Sequence, residues 1–524
     1  STLLPGADVG EDAEVAPGAA VFGRVPDGEF WSGAPAQRFG PARGPWADRK
    51  PLNRPVWKVG YGVSGVVMSL MPALAVLVAF ACVEGWARLL GLTSPTTATT
   101  TMGAILTALA WTPLGALVAF ASLALLVLGF VRLMGVGLVP GHYPVQGRVA
   151  VQAWSTLRVL DEARTWLFPL YSGALTPTWL RLLGAKIGKD VEASTALMLP
   201  RLVTVNDGAF LADDTLIGGY ELGGGWLRIE QVKIGKNAFV GNSGMAAPGR
   251  KVPKGALVAV LSAAPKRGTA KRGSSWLGSP PTKLRRVSTK GDKTRTYEPP
   301  RKLRVYRGLV ETCRLTAVMA QGLMFVAVVA VLTLVWARAG IWAAIALGGV
   351  VLLVAGGLGA LLATAAKWLL VGRVKREDHE LWTAFVWRNE LADTFVEQIA
   401  APWFARAAAG TPLINMWLRS MGARIGHGVW CETYWLPEAD LVELRDGATV
   451  GRGCVVQTHL FHDRVLSMDK VTVREGATLG PNSVILPAAS IGRHATVGPV
   501  SLVMRGESVP ERTRWIGNPI GPWR

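Results

Sequence analysis

The sequence predicts a membrane α plus all-β protein in which tandem left-handed hexapeptide β-helices are separated by pairs of transmembrane helices. The first observation is a six-residue beat. Val473, Leu479, Ile485, Ile491 and Val497 recur at that interval, and Gly480, Gly492 and Gly498 follow three of them. One branched side chain per short strand fills a prism-shaped core, while glycine or small residues turn the corners. The second is duplication. Residues 203–248 align without a gap on 442–487 at an offset of 239 (446 minus 207), and WLRLLGAKIG at 179–188 matches WLRSMGARIG at 417–426. The third is hydropathy: half the chain is apolar, with a mean hydropathy of +0.30. The excess lies in four runs, Tyr61–Cys82, Met102–Val131, Leu315–Trp336 and Ile341–Leu370. Each is long enough to cross a hydrocarbon core, which takes roughly 20 residues.

Taken in order, residues 1–35 close a first β-helix, with Val9, Val15 and Val21 on the same beat. This copy has an ending but no beginning, so the natural chain is expected to continue upstream of Ser1. Residues 36–56 form a Pro- and Arg-rich linker, 57–137 the first transmembrane pair, and 147–178 a connector helix carrying Arg158, Asp161, Glu162 and Arg164. The second β-helix spans 179–281. All copies exit through Val-Pro and then W-x-G-x-P, but Pro253 lies far further from Trp276 than Pro26 does from Trp31 or Pro510 from Trp515, so a basic insert is expected there. Residues 282–308 are a basic linker, 309–371 the second transmembrane pair, 372–414 a second connector and 415–524 the third β-helix. Both connectors read as helices lying along the membrane interface, with Trp and basic residues near the head groups. Glu84, close after the first run, reads as snorkelling to the same interface.

Charge sets the orientation. The formal net charge is +20, and Lys266–Arg307 alone holds 14 Lys and Arg against Asp292 and Glu298. Basic residues beside spans stay in the cytoplasm, and anionic lipids attract them. An even number of spans between β-helices keeps all of them on that side of a bacterial cell membrane. A nucleic-acid partner is not expected, because the basic run lies between a membrane-bound module and a span. Four cysteines, Cys82, Cys313, Cys431 and Cys454, have no metal spacing and suggest a reducing compartment without disulfides.

The ladder is interrupted once in the third copy. The interval from Val456 to Val473 overruns two hexads by five positions, and the insert Gln457–Arg464 reads QTHLFHDR. His459, His462 and Asp463 are therefore the candidate catalytic residues. An imidazole titrates near neutral pH and can deprotonate an attacking amine or hydroxyl, a carboxylate can fix its tautomer, and corner N–H groups can hold an oxyanion. The competing reading is of exposed loop histidines without a role. The aligned positions in the second copy are Tyr220, Gly223 and Gly224, which makes it a structural or substrate-handling paralogue with Tyr220 and Glu221 as its polar candidates. His427 and His494 sit at hexad corners, and His142 and His379 flank spans. No G-x-x-x-x-G-K-[ST] loop and no HHxxxDG motif is present, so nothing in the sequence activates an amino acid with ATP.

The module order, together with PKRGTAKRGSSWLGSPP at 265–281 and WLRLLGAKIG, resembles the membrane-embedded C-terminal region of nonribosomal peptide synthetases of the ε-poly-L-lysine synthetase type. The resemblance covers essentially the whole chain. It implies an aminoacyl or peptidyl transferase: upstream adenylation and carrier domains load an amino acid, expected to be lysine, as a phosphopantetheine thioester, and this region joins residues into a homopolymer. Phosphopantetheine would then arrive on the carrier, with no cofactor bound by this chain and no metal. A lysine ε-amine, with a pKa of about 10.4, arrives protonated, so a base such as His459 or His462 would be needed and Asp463 or Glu432 could hold the cation. The growing polymer, membrane lipids and the synthetase's own upstream domains are the expected partners, with homo-oligomerisation left open. A membrane-bound acyltransferase using another donor, or a scaffold or export module for the polymer, remain the alternatives.

Overall fold

The computed structural model describes residues 1–524 except 43, 45–50, 53, 267, 286–290 and 524. Parts of both expected linkers therefore lie outside the described residues.

The six-residue beat folds as short parallel strands stacked coil upon coil. In the second β-helix Lys233 pairs with Lys251 and Leu257 with Ser275, one coil of three hexads apart; in the third, Val473 pairs with Ile491 and Thr496 with Arg514 at the same interval. Each full copy has three parallel faces. The branched residues of the beat, such as Val205, Ile234, Val252, Val473, Leu479 and Ile491, are at most 1% exposed and make the core.

Two expectations are corrected. The supposed basic insert between Pro253 and Trp276 is one further coil of three hexads, because Trp276 and Trp515 occupy the same rung beside Val258 and Val497. Val252-Pro253 lies one coil before the counterpart of Val509-Pro510, and a dipeptide used on more than one rung marks no unique position. The first β-helix also runs past residue 35: Glu29–Ser32 turns back on Gln37–Pro41, as Ser275–Leu277 does on Thr282–Leu284 and Arg514–Gly517 on Ile520–Pro522.

The interruption, by contrast, belongs to both full copies. The paired residues Val203 and Val232, like Val442 and Val471, are eleven positions further apart than one regular coil (232 minus 203, against 251 minus 233). The excess is an antiparallel hairpin, Glu221–Gly223 with Trp226–Ile229 and His459–His462 with Val465–Met468. A strand from the segment after each helical pair, Gly141–Pro144 or Asp378–Glu380, completes a three-stranded sheet.

The WLRxxGAxIG motif seals the start of each full β-helix. Its helices, Thr176–Leu183 and Pro412–Ser420, bury Trp179 and Trp417 in the core. Arg181 donates to the carbonyls of Ile187 and Gly188, and Arg419 to those of Ile425 and Gly426. Gly184 and Gly422 leave the helices at φ of 113° and 115°, a region favouring glycine.

Val56–Leu89 and Thr101–Met134 are helices long and apolar enough to cross a membrane. The remaining apolar runs form Leu315–Leu370, broken at Gly340 (φ 83°, ψ 169°) into two arms. Their large side chains, among them Leu77, Leu125, Trp342 and Leu353, are exposed. Small residues let the helices meet: a Cβ on Gly322 would lie 2.8 Å from Ala116, and one on Gly356 2.6 Å from the Trp403 carbonyl. Glu84 does not snorkel; it is buried and accepts hydrogen bonds from the Thr96 hydroxyl (2.6 Å) and backbone N–H.

The connectors pack into protein instead of presenting a free face to head groups. Arg148–Trp166 buries nine residues, and Ala384–Phe395 continues into a π-helix, Val396–Ala405, that buries six. The three β-helices touch in a ring: the Ser279 hydroxyl donates to the Pro17 carbonyl, Asn518 to the Leu261 carbonyl, and Asn482 to the Thr2 hydroxyl.

Gly426 provides a test of the ladder geometry. A Cβ there would collide with the Asp446 carboxylate and sit 2.7 Å from its backbone nitrogen. Gly426→Ala is expected to destabilise by about 1–3 kcal/mol, as overpacking does. Gly308→Ala, on an exposed helical turn with no neighbour within 4 Å, should be neutral or stabilising by about 0.4–1 kcal/mol in the same thermal-shift assay.

Candidate active site between the second and third β-helices

The facing sides of the second and third β-helices, roofed by both connectors, enclose a cavity of about 540 Å³. Ser194, Thr195, Phe210 and Asp213 come from one wall, Cys454, Gln457, His459 and Phe461 from the other, and Asp161, Arg164, Glu390, Asp393 and Glu397 from the roof. Arg464, at the tip of the third copy's hairpin, holds the walls together. Its buried guanidinium donates to the carbonyls of Asp190 and Gly208 in the second β-helix and of Thr296, and stacks over Tyr297 at 4.7 Å.

Of the catalytic and substrate-binding candidates read from the sequence, His459 lines this cavity and His462, Asp463, Glu432, Tyr220 and Glu221 do not. Alternation along His459–His462 sends His459 and Phe461 to the cavity face and Leu460 and His462 to the opposite one. His462 and Asp463 instead face each other at the hairpin turn, Nε2 to Oδ2 3.4 Å. Glu432 is half-buried beside Gly410. Glu221 is paired with Arg228 at 2.8 Å, and Tyr220 packs in an apolar cluster with Tyr143 and Leu157, both around the second copy's own hairpin.

The carboxylate that orients His459 is Glu438, not Asp463. Glu438 Oε2 lies 2.7 Å from His459 Nδ1 and accepts from the Thr458 hydroxyl at 2.7 Å, while Oε1 accepts from Asn389 at 2.8 Å. Nδ1 is thereby committed, and Nε2 is the nitrogen left for chemistry. Glu438 escaped notice because a local rearrangement places it. The second copy has a regular strand, Leu197–Met198, where the third has the strandless segment 432–438, ending with Glu438 at φ 42°. One signal in the sequence marks the change: the offset between copies is 238 at Trp179 and Trp417 but 239 at Asp207 and Asp446, so the third copy gains one residue between them.

The cavity is acidic. Eight carboxylates, Asp161, Glu162, Glu192, Asp213, Asp214, Glu390, Asp393 and Glu397, line it against three guanidinium groups, Arg164, Arg307 and Arg406. Arg164 pairs with Asp161 and Asp214, Arg307 with Glu192, and Arg406 approaches Glu397 at 3.8 Å. Arg314, outside the lining, takes Glu390 at 3.0 Å. Asp213 has two hydroxyl donors, Ser194 and Thr195, and among the described residues no guanidinium pairs with it.

Burial dominates the proton affinities of the roof. It pushes Glu390 up to about 7 against the pull of Arg307 and Arg314, Glu397 up to about 7 against Arg406, and Asp393 well above the usual carboxylate range. Burial also disfavours a charged imidazole, but Glu438, through its charge and its hydrogen bond, with Asp213 and Asp393, outweighs it and holds His459 above 6.5. Glu438 is raised by burial and lowered further by His459, Thr458 and Asn389, ending below 4.5.

No family model matches the chain. Over 515 residues it is 32% identical to a delta-poly-L-ornithine synthetase of Acinetobacter baumannii (strain AB307-0294), an alignment covering 95% of this chain and 38% of that protein. The chain thus spans less than two fifths of that relative. Among solved structures, soybean serine acetyltransferase is similar at 18% identity over 40% of this chain and 76% of its own, with a TM-score of 0.19. A hexapeptide-repeat acetyltransferase of Vibrio cholerae is 13% identical over 32% and 91%, with a TM-score of 0.20. An N-acyltransferase from Bacillus cereus is 22% identical over 16% and 51%, with a TM-score of 0.15.

The Glu438–His459 pair makes stability depend on pH. His459, raised on folding, stabilises fully below 6.5 and loses that contribution as pH rises through its folded value. Glu438, lowered on folding, stabilises above 4.5 and loses its share as pH falls through its folded value. The destabilisation caused by Glu438→Gln in thermal unfolding is therefore expected to be largest between pH 4.5 and 6.5 and to shrink as pH rises through the folded value of His459.

Proposed function

We propose that this chain is the bond-forming region of a membrane-bound synthetase, joining a thioester-activated basic amino acid to the amine of another. One observation carries the reading: an imidazole oriented by a buried carboxylate opens onto a cavity with eight carboxylates and three guanidinium groups, in a chain whose net charge is +20. Such a cavity selects a cationic acceptor from a molecule that otherwise repels it. The similarity to a poly-L-ornithine synthetase supports a basic monomer, ornithine or lysine.

In this reading Asp213 receives the acceptor's ammonium. Once that group is neutral, its nitrogen attacks the thioester carbonyl, His459 Nε2 takes the N–H proton as the C–N bond forms, and the same proton goes to sulfur as the C–S bond breaks. Glu438 holds the ring and stabilises the imidazolium. The thioester is delivered by a carrier's phosphopantetheine arm, and upstream adenylation and carrier domains are the proposed partners. The apolar helices would anchor the cavity at the membrane, with the basic residues beside them favouring the cytoplasmic side.

The test supplies the protein in detergent with an aminoacyl-pantetheine thioester and free ornithine or lysine. His459→Ala is expected to lower amide formation by about 10²–10⁴-fold, the usual worth of a general base. His462→Ala should leave it within about threefold, and a wild-type rate from His459→Ala would sink the assignment. Wild-type transfer should rise with pH along a limb above 6.5, and Glu438→Gln should move that limb to lower pH while reducing the maximum. Asp213→Asn should raise KM for the cationic acceptor more than it lowers kcat. Equal rates with a CoA thioester and a carrier thioester would favour a free acyltransferase.

A further inference from the structure

Joining an ammonium to a thioester releases one proton more than His459 can dispose of. The overall change, R–NH₃⁺ plus R′–CO–S–R″ giving R′–CO–NH–R plus R″–SH plus H⁺, balances only if a second group accepts the first proton. His459 borrows the proton lost during attack and returns it to sulfur, so it ends each turnover unchanged. The proton that makes the ammonium nucleophilic in the first place needs another acceptor.

Behind the main cavity lies a small chamber of about 40 Å³, large enough for two or three waters at about 10–15 Å³ each. Asn389, Asp393, Tyr434 and Trp435 line both spaces, and of these Asp393 is the titrating carboxylate. Glu438 faces the small chamber, and so does Lys367, which is paired with Asp440 at 2.8 Å where the last apolar helix ends. Among the described residues, Asp393 takes part in no side-chain hydrogen bond or ion pair, whereas Asp213 is engaged by two hydroxyls and faces only the main cavity.

Resting on the proposed function, we infer that ionised Asp393 accepts the ammonium proton before attack and releases it to water in the small chamber, so that Asp393, like His459, ends each turnover unchanged and one H⁺ leaves for solvent. The charged groups that act on it are Glu438, His459, Asp213 and Glu390, with Lys367 across the chamber. Burial first, and then the three carboxylates among these groups, raise its proton affinity above the usual carboxylate range, which narrows the gap to the ammonium whenever Asp393 is ionised. His459 opposes them, so Asp393 accepts most readily while the imidazole is neutral, the state needed for attack.

The test compares two acceptors in the thioester assay: free ornithine, cationic at neutral pH, and hydroxylamine, already uncharged. Asp393→Asn should lower the rate with ornithine about a hundredfold at pH 7 and regain most of it by about pH 10, while hydroxylamine reacts within about threefold of wild type. The hydroxylamine rate above the enzyme-free reaction also reports whether the variant is folded, and Asp393→Glu should restore part of the ornithine rate. An equal loss with both acceptors, or no loss with ornithine, overturns the relay. His459→Ala run alongside separates the levels: normal transfer in that variant removes the active-site reading and the relay with it, whereas a dead His459→Ala beside an unaffected Asp393→Asn removes the relay alone.

Discussion

Three guanidinium groups, Arg307, Arg314 and Arg464, are among the most completely buried side chains of the protein, and the arrangement of the two full β-helices depends on satisfying them. An arginine cannot shed its charge, so each must find anions or carbonyls where it lies. Arg307 takes Glu192 of the second β-helix and Glu311 of its own helix; Arg314 takes Glu390 of the second connector and the Tyr171 carbonyl; Arg464 takes carbonyls of the second β-helix. Every one of these bonds crosses between modules or braces one that does. The seam is held by these guanidinium groups together with apolar contacts between the two β-helices, Phe210 against Phe461 and Leu466 and Val260 against Val484 and Leu502, and the cavity is the space they leave.

The two full copies share their coils, capping helix, hairpin and third sheet strand, yet contribute differently to that cavity. The second offers a regular wall with Ser194, Thr195 and Asp213 at its corners. The third trades one strand for the segment 432–438, and with it gains Tyr434, Trp435 and Glu438. The duplicated hairpin follows the same logic: Arg228 and Glu221 close the second copy's hairpin on itself, whereas His459 and Arg464 turn the third copy's hairpin toward its neighbour. One scaffold thus supplies two chemically different walls, and neither copy forms the cavity alone.

Charge is segregated accordingly. On the second β-helix Lys186, Lys233 and Lys251, with Thr204 between the first two, form an exposed column along the coils, while eight carboxylates line the cavity. A cleft with an excess of one sign, here eight carboxylates against three guanidinium groups, concentrates counter-ions even where the molecule as a whole repels them.

The sequence by itself determined the ladder, the module order and the apolar helices, because each is a local periodicity: one hexad per strand, three per coil, and a long unbroken apolar run per span. It also pointed to the hairpin of the third copy and to His459 within it. It could not separate His459 from His462, since which face of a strand meets a cavity is decided by what packs against it. Counting Val-Pro exits misplaced one whole coil, because such markers carry no register; the strand pairing does. Glu438 became visible only when a broken rung brought it back beside a residue 21 positions away. Asp213, Asp393 and Glu397 are ordinary acids in the sequence, and only the meeting of two β-helices and two connectors brings them to one cavity, where loss of water raises the proton affinity of Asp393 and Glu397.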